Sequence, residues 1–333
     1  MKTGAEPLAR RVFVALSDAR LHSGSQLAEQ LRVSRTAIWK AVRELRELGL
    51  EIESNPRHGY QLPHAVTPLN AHDIRRRLTP EFRDVLRHGA VSWSLPSTNA
   101  TLLATAPIEP GQSDFLLAEN QTAGRGRRGR SWLAAAGATL CLSVSWSFAA
   151  LPPNAGALSL AIGVAVRRAL RALDMHDVEL KWPNDLVHER RKLGGILLEL
   201  RAEAAGPALV IVGVGLNVNP SQRLAGRVRA SGTESMALAA LCSKAIDRNQ
   251  LSAAIICEIW RALASFAQSG FAAFADEWRR GDALRGRPVT VTGADAAVHG
   301  VAAGIDDDGA LRVRVGDEVQ RISSGDVSVR SQA

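Results

Sequence analysis

The chain has 333 residues, 46% of them hydrophobic and 22% charged, with a formal net charge of +8. That composition excludes a disordered or fibrous protein, and the length exceeds what one hydrophobic core usually organises, so two or three domains are expected. Three scattered cysteines (Cys141, Cys242, Cys257) exclude a disulfide scaffold and a thiolate metal cluster and suit a reducing compartment. No apolar run reaches the length of a bilayer span and the N-terminus carries no signal-peptide core, so a cytoplasmic protein with no membrane partner is expected. Of 41 basic residues only five are lysine: Lys2, Lys40, Lys181, Lys192 and Lys244. Where a chain that habitually uses arginine turns to lysine, a specific need for an ammonium is suspected.

Residues 7–20 have helical apolar spacing, and 25–31 read as a second short helix. Ser34 is a good N-cap for a third, which Gly49 stops. In that third helix Ala37, Ile38, Ala41, Val42, Leu45 and Leu48 form one face, while Arg35, Thr36, Trp39, Lys40 and Arg43 point elsewhere. Two helices joined by the tight Arg32-Val33 turn, the second basic on its free face, make a helix-turn-helix signature. Two short strands around Asn-Pro-Arg-His-Gly (55–59) read as a wing carrying Arg57 and His58. The first 64 residues hold ten Lys/Arg against seven Asp/Glu, so the pattern, more than the charge, points to DNA. The competing reading is a helical interaction domain with a solvated basic face. The candidate DNA contacts are Ser34, Arg35, Thr36, Trp39, Lys40, Arg43, Arg57 and His58.

A linker is expected over 63–68 and a helix over 70–78. A strand over 91–95 delivers Ser97-Thr98-Asn99 to the start of a helix, where a hydroxyl by itself reads as an N-cap. An apolar strand over 115–118 launches A-E-N-Q-T-A-G-R-G-R-R-G-R-S-W (118–132), in which Arg125, Arg127, Arg128 and Arg130 alternate with Gly124, Gly126 and Gly129. Glycines let a backbone approach a ligand, and guanidinium forks fit carboxylate and phosphate oxygens. A solvated loop or a nucleic-acid patch fits this stretch equally well by composition. There follow a strand over 138–148, a long helix over 155–173, and a strand over 178–181 that runs into Lys181-Trp182-Pro183-Asn184-Asp185. Arg191-Lys192-Leu193-Gly194-Gly195 reads as a turn into a strand over 196–201. A buried strand over 209–214 ends in Gly213-Val214-Gly215-Leu216-Asn217, and helices are expected over 233–246, 251–269 and 271–280. From Gly286 five short alternating segments split by turns read as a small β-barrel.

Lys181 and Lys192 fall beside Asn184, Asp185 and paired glycines. With the Arg/Gly loop they make a site for a nucleotide and an acid: guanidinium and backbone groups for phosphate, Lys192 for the carboxylate and α-phosphate, and Trp132 as a stacking face.

The chain resembles the bifunctional biotin–protein ligases that also repress the biotin operon. The resemblance rests on G-R-G-R-R-G-R at 124–130, K-W-P-N-D at 181–185, S-T-N at 97–99, R-K-L-G-G at 191–195 and G-x-G-x-N at 213–217, in that family's order along nearly the whole chain. It implies a multidomain α+β protein. A winged helix-turn-helix covers 1–65, and a mixed α/β ligase domain related to class II synthetase-type biotin ligase cores covers 66–285. A small SH3-like β-barrel covers 286–333.

The implied chemistry joins biotin to ATP, giving biotinyl-5′-adenylate and pyrophosphate. The biotin is then passed to a lysine of the biotin carboxyl carrier protein of acetyl-CoA carboxylase, with AMP released. Mg²⁺ is implied as a companion of the phosphates, with no metal ligands from the protein. Carried over by motif, Ser97, Thr98, Asn99, Gln121, Arg125, Gly126, Arg127, Lys192, Gly213 and Gly215 contact biotin. Arg125, Arg127, Arg128, Arg130, Trp132, Lys181, Asn184, Asp185, Lys192 and Asn217 contact ATP or the adenylate, and Lys192, Arg127 and Asp185 serve catalysis. Operator DNA and a homodimer formed with bound adenylate are the further partners implied. Thr122 and Pro96 depart from the family pattern without removing a group assigned to chemistry. Three alternatives stand beside this reading: a lipoate-type acyl ligase, a ligand-sensing repressor that binds biotin or its adenylate without transferring it, and a general nucleic-acid-binding protein using Gly124 to Arg130 as an RGG-like patch.

Overall fold

The computed structural model describes residues 6–55, 58–105, 109–152, 154–202, 206–222, 226, 234–293 and 297–329. The N-terminal unit has three helices, α1 (Leu8–Leu16), α2 (Gly24–Leu31) and α3 (Arg35–Glu47), followed by the hairpin β1 (Glu53–Asn55) and β2 (Gly59–Gln61). Local chemistry sets the helix ends. Ser23 and Gln26 form a capping box at α2, Arg32 closes it in the left-handed region at φ 54°, and the Ser34 hydroxyl accepts the Ala37 N–H to start α3. Val12, Phe13, Leu16, Leu27, Ile38, Val42 and Leu45 fill the core beneath.

The central unit is a seven-stranded sheet in the order β3-β4-β5-β9-β8-β7-β6, antiparallel except for the parallel pair β3 and β4. The strands are β3 (Leu86–Leu95), β4 (Ser113–Gln121), β5 (Thr139–Phe148), β6 (Glu179–Lys181), β7 (Asp185–His188), β8 (Arg191–Ala202) and β9 (Ala208–Asn217). Helices α4 (Ala71–Arg77) and α5 (Pro80–Val85) lead into it. Leu140, Leu142 and Val144 on β5 and Val210, Val212 and Val214 on β9 share one core with α7 (Leu158–Arg171), α8 (Arg248–Ser269) and α9 (Ala272–Gly281). The short α6 (Thr98–Leu103) covers the opposite face of the sheet.

Two expectations need correction. The segment 191–195, expected as a turn, is the first part of β8 and pairs with β7, an unforeseen strand. The helix expected over 233–246 is absent from the described residues of that span, which hold only a 3-10 turn at Leu238–Leu241. The backbone there is engaged elsewhere: Lys192 N–H donates to Glu234 O at 2.8 Å and Met236 N–H to Lys192 O at 2.9 Å. A sheet-like bond to β8 outweighs the modest helical spacing of this stretch.

The C-terminal unit is a five-stranded antiparallel sheet, β10 (Pro288–Thr292), β11 (Val298–Ile305), β12 (Leu311–Val315), β13 (Glu318–Ile322) and β14 (Asp326–Val329), in the order β13-β12-β11-β10-β14. Its inward residues Val289, Ile305, Leu311 and Val313 continue the central core, and the buried Trp182 indole donates to Gly309 O at 3.0 Å.

The linker after the N-terminal unit is clamped. Fully buried Arg248 pairs with buried Glu119 at 2.8 Å and also donates to Thr67 O and Thr139 O. Glu119 accepts the Leu69 N–H at 2.7 Å, and Asn249 bonds both Pro68 O and the Asn70 N–H. Phe13 of α1 meets Trp93 of β3 at 5.7 Å between ring centroids. Among the described residues no helix is long and apolar enough to cross a membrane.

Candidate active site

A cavity of about 360 Å³ opens on the α6 side of the sheet, within the size range of small-molecule sites. Its inner end is polar and tightly bonded. The Thr98 N–H and hydroxyl both donate to Gln121 Oε1, at 2.7 and 3.1 Å. The Ser143 hydroxyl lies 2.7 Å from Thr98 Oγ1 and 2.5 Å from Asn99 Oδ1, and Asn99 Nδ2 donates to Leu197 O. Ser97, Thr98 and Asn99 are all buried. The floor is β9. A Cβ on Gly213 would lie 2.4 Å from Asn99 Oδ1, and one on Gly215 would lie 2.4 Å from the Trp132 ring. Only glycine at both places lets the amide and the indole lie flat on the strand.

The Arg/Gly stretch is a hairpin-like flap over this floor. Arg125 bridges to Ser131, the Gly126 N–H donates to Arg130 O, and the Trp132 N–H to Gly124 O. Arg128 turns the tip at φ 55°. Arg127 reaches inward, its Nη1 3.3 Å from Asn184 Oδ1. Burial lowers its pKa from the ordinary arginine value, an effect opposed by Asp326 and Asp185.

Opposite the flap, β7 and β8 present the acid and ammonium groups. Lys192 Nζ lies 2.6 Å from Asp185 Oδ1. Asn184 Nδ2 donates to Ile196 O at 2.6 Å, and Asn217 Nδ2 to Lys192 O at 3.2 Å, so two amides brace the lysine-bearing strand. Lys181 lies in register with Asp185, and burial lowers its pKa, with Asp185 pulling the other way. Cys141 forms part of the wall, and burial pushes its thiol up to about 11, so it stays neutral.

The structure therefore brings Ser97, Thr98, Asn99, Gln121, Arg125, Gly126, Arg127, Arg130, Trp132, Asn184, Asp185, Lys192, Gly213, Gly215 and Asn217 to one cavity. Arg128 and Lys181 are not among its lining residues. Arg128 instead reaches Thr292 O and Asp326 of the C-terminal unit. Sequence reasoning missed Cys141, Ser143 and Ser235. For the first two a signal existed, because Cys141, Ser143 and Ser145 form the polar face of a strand whose other face is Leu140, Leu142 and Val144. Ser235 had none, since it is placed by the contact of its neighbours with Lys192.

Outside the cavity lining, Ser34, Arg35, Thr36, Trp39, Lys40 and Arg43 are all exposed on and around α3. Trp39 is 50% exposed with Arg43 stacked on its ring at 5.1 Å. His58 is exposed in the wing, and Arg57 lies outside the described residues.

Comparison with known proteins agrees with this architecture. Residues 10–61 match an HTH domain, 92–217 the biotin/lipoate A/B protein ligase family, and 285–330 the biotin protein ligase C terminal domain. The bifunctional ligase/repressor BirA of Escherichia coli (strain K12) is 36% identical over 331 residues, 99% of each chain. The biotin–[acetyl-CoA-carboxylase] ligase of Mycobacterium tuberculosis is 36% identical over 69% of this chain and 85% of its own. Among solved structures, the biotin protein ligase from Aquifex aeolicus in complex with biotin and ATP superposes with a TM-score of 0.62 at 26% identity, covering 74% of this chain and all of that one. With the three units in the same order and identity sustained from end to end, the chain belongs to the bifunctional biotin ligase/repressor family.

Proposed function

We propose that the protein activates biotin with ATP and transfers it to a lysine of the biotin carboxyl carrier protein of acetyl-CoA carboxylase, and that the same chain represses transcription by binding operator DNA. The observation that carries the ligase reading is one cavity that brings the polar groups of Ser97, Thr98, Asn99 and Gln121 together with Arg127, Lys192 and Asp185. Two anionic reactants repel each other, and a site must gather positive charge before they can join.

In this reading Ser97, Thr98, Asn99 and Gln121 hold the polar ring of biotin over the β9 floor, where Gly213 and Gly215 leave room for Asn99 and Trp132 to close around it. Lys192 and Arg127 flank the biotin carboxylate and the α-phosphate. A carboxylate oxygen attacks α-phosphorus and the bond to the bridging oxygen breaks, so pyrophosphate leaves and the mixed anhydride remains. Trp132, Asn184 and Asn217 contact its adenylate part. The amine of the acceptor lysine then attacks the acyl carbon, the anhydride C–O bond breaks, and AMP leaves with the electron pair. Asp185 orients Lys192 and the incoming amine. No three His, Cys, Asp or Glu side chains converge among the described residues. No protein cage is therefore assigned to Mg²⁺, which is proposed only as a companion of the triphosphate oxygens.

The domain boundaries proposed are 1–65, 66–285 and 286–333. DNA contacts are proposed for Ser34, Arg35, Thr36, Trp39, Lys40, Arg43, Arg57 and His58, with the adenylate as corepressor. The flap closing on the adenylate favours a homodimer able to span two half-sites. Biotin-dependent ATP–pyrophosphate exchange, followed by the mass shift of a carrier-protein lysine, tests the ligase reading. Absence of both overturns it.

A further inference from the structure

The flap holds four guanidinium groups within six residues, and their mutual repulsion favours an open, separated arrangement. Three of the four are engaged with carboxylates on its two flanks. Arg125 Nη2 lies 3.0 Å from Glu199 Oε1 and 3.1 Å from Oε2, so β8 of the central sheet holds one arm. Arg130 Nη2 lies 2.8 Å from Asp326 Oδ1 and Arg128 Nη1 3.7 Å from Asp326 Oδ2, so the C-terminal unit holds the other. Arg128 also donates to Thr292 O at 3.4 Å. Thr292 and Asp326 are register partners on β10 and β14, joined further by the Thr292 hydroxyl to Asp326 O. The edge of the C-terminal sheet is thus a small acceptor platform under the flap tip. Arg127 differs: its hydrogen bond is to the neutral amide of Asn184, inside the cavity.

We propose that Glu199 and Asp326 are positioning residues that dock the flap from both sides and so aim Arg127 at the substrate anions. This rests on the ligase reading of the same cavity. The division of labour follows from charge. Glu199 and Asp326, already matched by the arginines they hold, repel an incoming triphosphate weakly, and Arg127, whose hydrogen bond is to an uncharged amide, keeps its charge for the substrate. The docking pairs are partly solvated, with Arg125 and Arg130 side chains 45% and 62% exposed. Pairs of that kind are weak enough to exchange when substrate enters and leaves, and strong enough to bias a glycine-rich loop. Asp326 also gives the C-terminal unit a part in the chemistry without touching the reacting atoms.

The test uses the full-length protein in two measurements. Limited trypsin digestion without ligands reads flap docking directly, because trypsin cuts after arginine. Asp326→Asn and Glu199→Gln are each expected to speed cleavage at residues 125–130 by about fivefold, the scale of a partly exposed ion pair. Asp326→Glu is expected to restore protection. In biotin-dependent pyrophosphate exchange the same two variants are expected to raise KM for ATP by about fivefold and leave kcat within about twofold. Wild-type rates of flap cleavage in both variants would overturn the proposal. So would a loss confined to kcat with KM unchanged. If the variants loosen the flap but the wild-type protein forms no adenylate, the docking stands and the ligase reading falls.

Discussion

Asp185 and Lys192 meet at 2.6 Å across two neighbouring antiparallel strands, β7 and β8. The pair holds the ammonium in the cavity wall and keeps the carboxylate neutralised by it. Removing Lys192 does two things at once: it deletes a cation where negative charge gathers, and it leaves Asp185 facing the substrates unpaired. Lys192→Ala is expected to depress biotin-dependent pyrophosphate exchange by at least about a hundredfold. The double variant Lys192→Ala/Asp185→Asn is expected to recover part of the loss by removing the orphaned charge. An unchanged exchange rate in Lys192→Ala would remove that residue from the mechanism.

Arg127 is the flap arginine whose hydrogen bond lies inside the cavity, to Asn184. Its truncation is expected to release the adenylate intermediate about tenfold or more faster, with the rate of adenylate formation also reduced. Single-turnover retention of labelled biotinyl-5′-AMP measures this. Retention equal to wild type would assign closure to the other three arginines.

Arg35 and Lys40 sit with exposed Trp39 on the free face of α3. If this face meets phosphates, Arg35→Ala/Lys40→Ala lowers the slope of log affinity against log salt for duplex DNA by roughly two, with ligation left intact. Binding isotherms on a non-specific duplex at several salt concentrations read that slope. An unchanged slope would move the DNA interface elsewhere on the unit.

Lys181 gives a pH prediction. Burial lowers its pKa below 10.5, with Lys192 and Arg130 acting in the same direction. The folded protein therefore sheds this proton more readily than the unfolded chain. Below the folded pKa both states are protonated and the buried charge costs stability in full; as pH rises toward the ordinary lysine value the cost fades. Lys181→Met keeps the stem and removes the charge. It is expected to raise Tm at neutral pH, with the difference from wild type closing as pH approaches 10. A difference that widens with pH would contradict the burial argument.

What could be read from the sequence was the part where local chemistry breaks the ordinary alternation of polar and apolar residues. Arginine alternating with glycine, Pro-Asn-Asp after a strand, and glycines in an otherwise β-branched strand all mark positions whose backbone or charge has a purpose beyond packing. Ser34 and Gly49 likewise bracket α3 by capping rules alone. What could not be read depends on distant contacts. Residues 234–236 lack a helix because Lys192, more than forty residues earlier, takes their backbone groups. Asp326 lies 196 residues beyond Arg130, and nothing local to either announces the pair. For Ser143 the alternation of its strand marks a polar face, but not that this face meets the buried side chains of Thr98 and Asn99 in place of solvent.

The grip of Arg248, Asn249 and Glu119 on residues 67–70 shortens the tether of the helix-turn-helix unit, and Phe13 packed on Trp93 ties that unit to the edge strand of the central sheet. If two such chains pair on DNA as proposed, the spacing of their helices would follow from how the ligase units meet, and the spacing of the bound half-sites would report it.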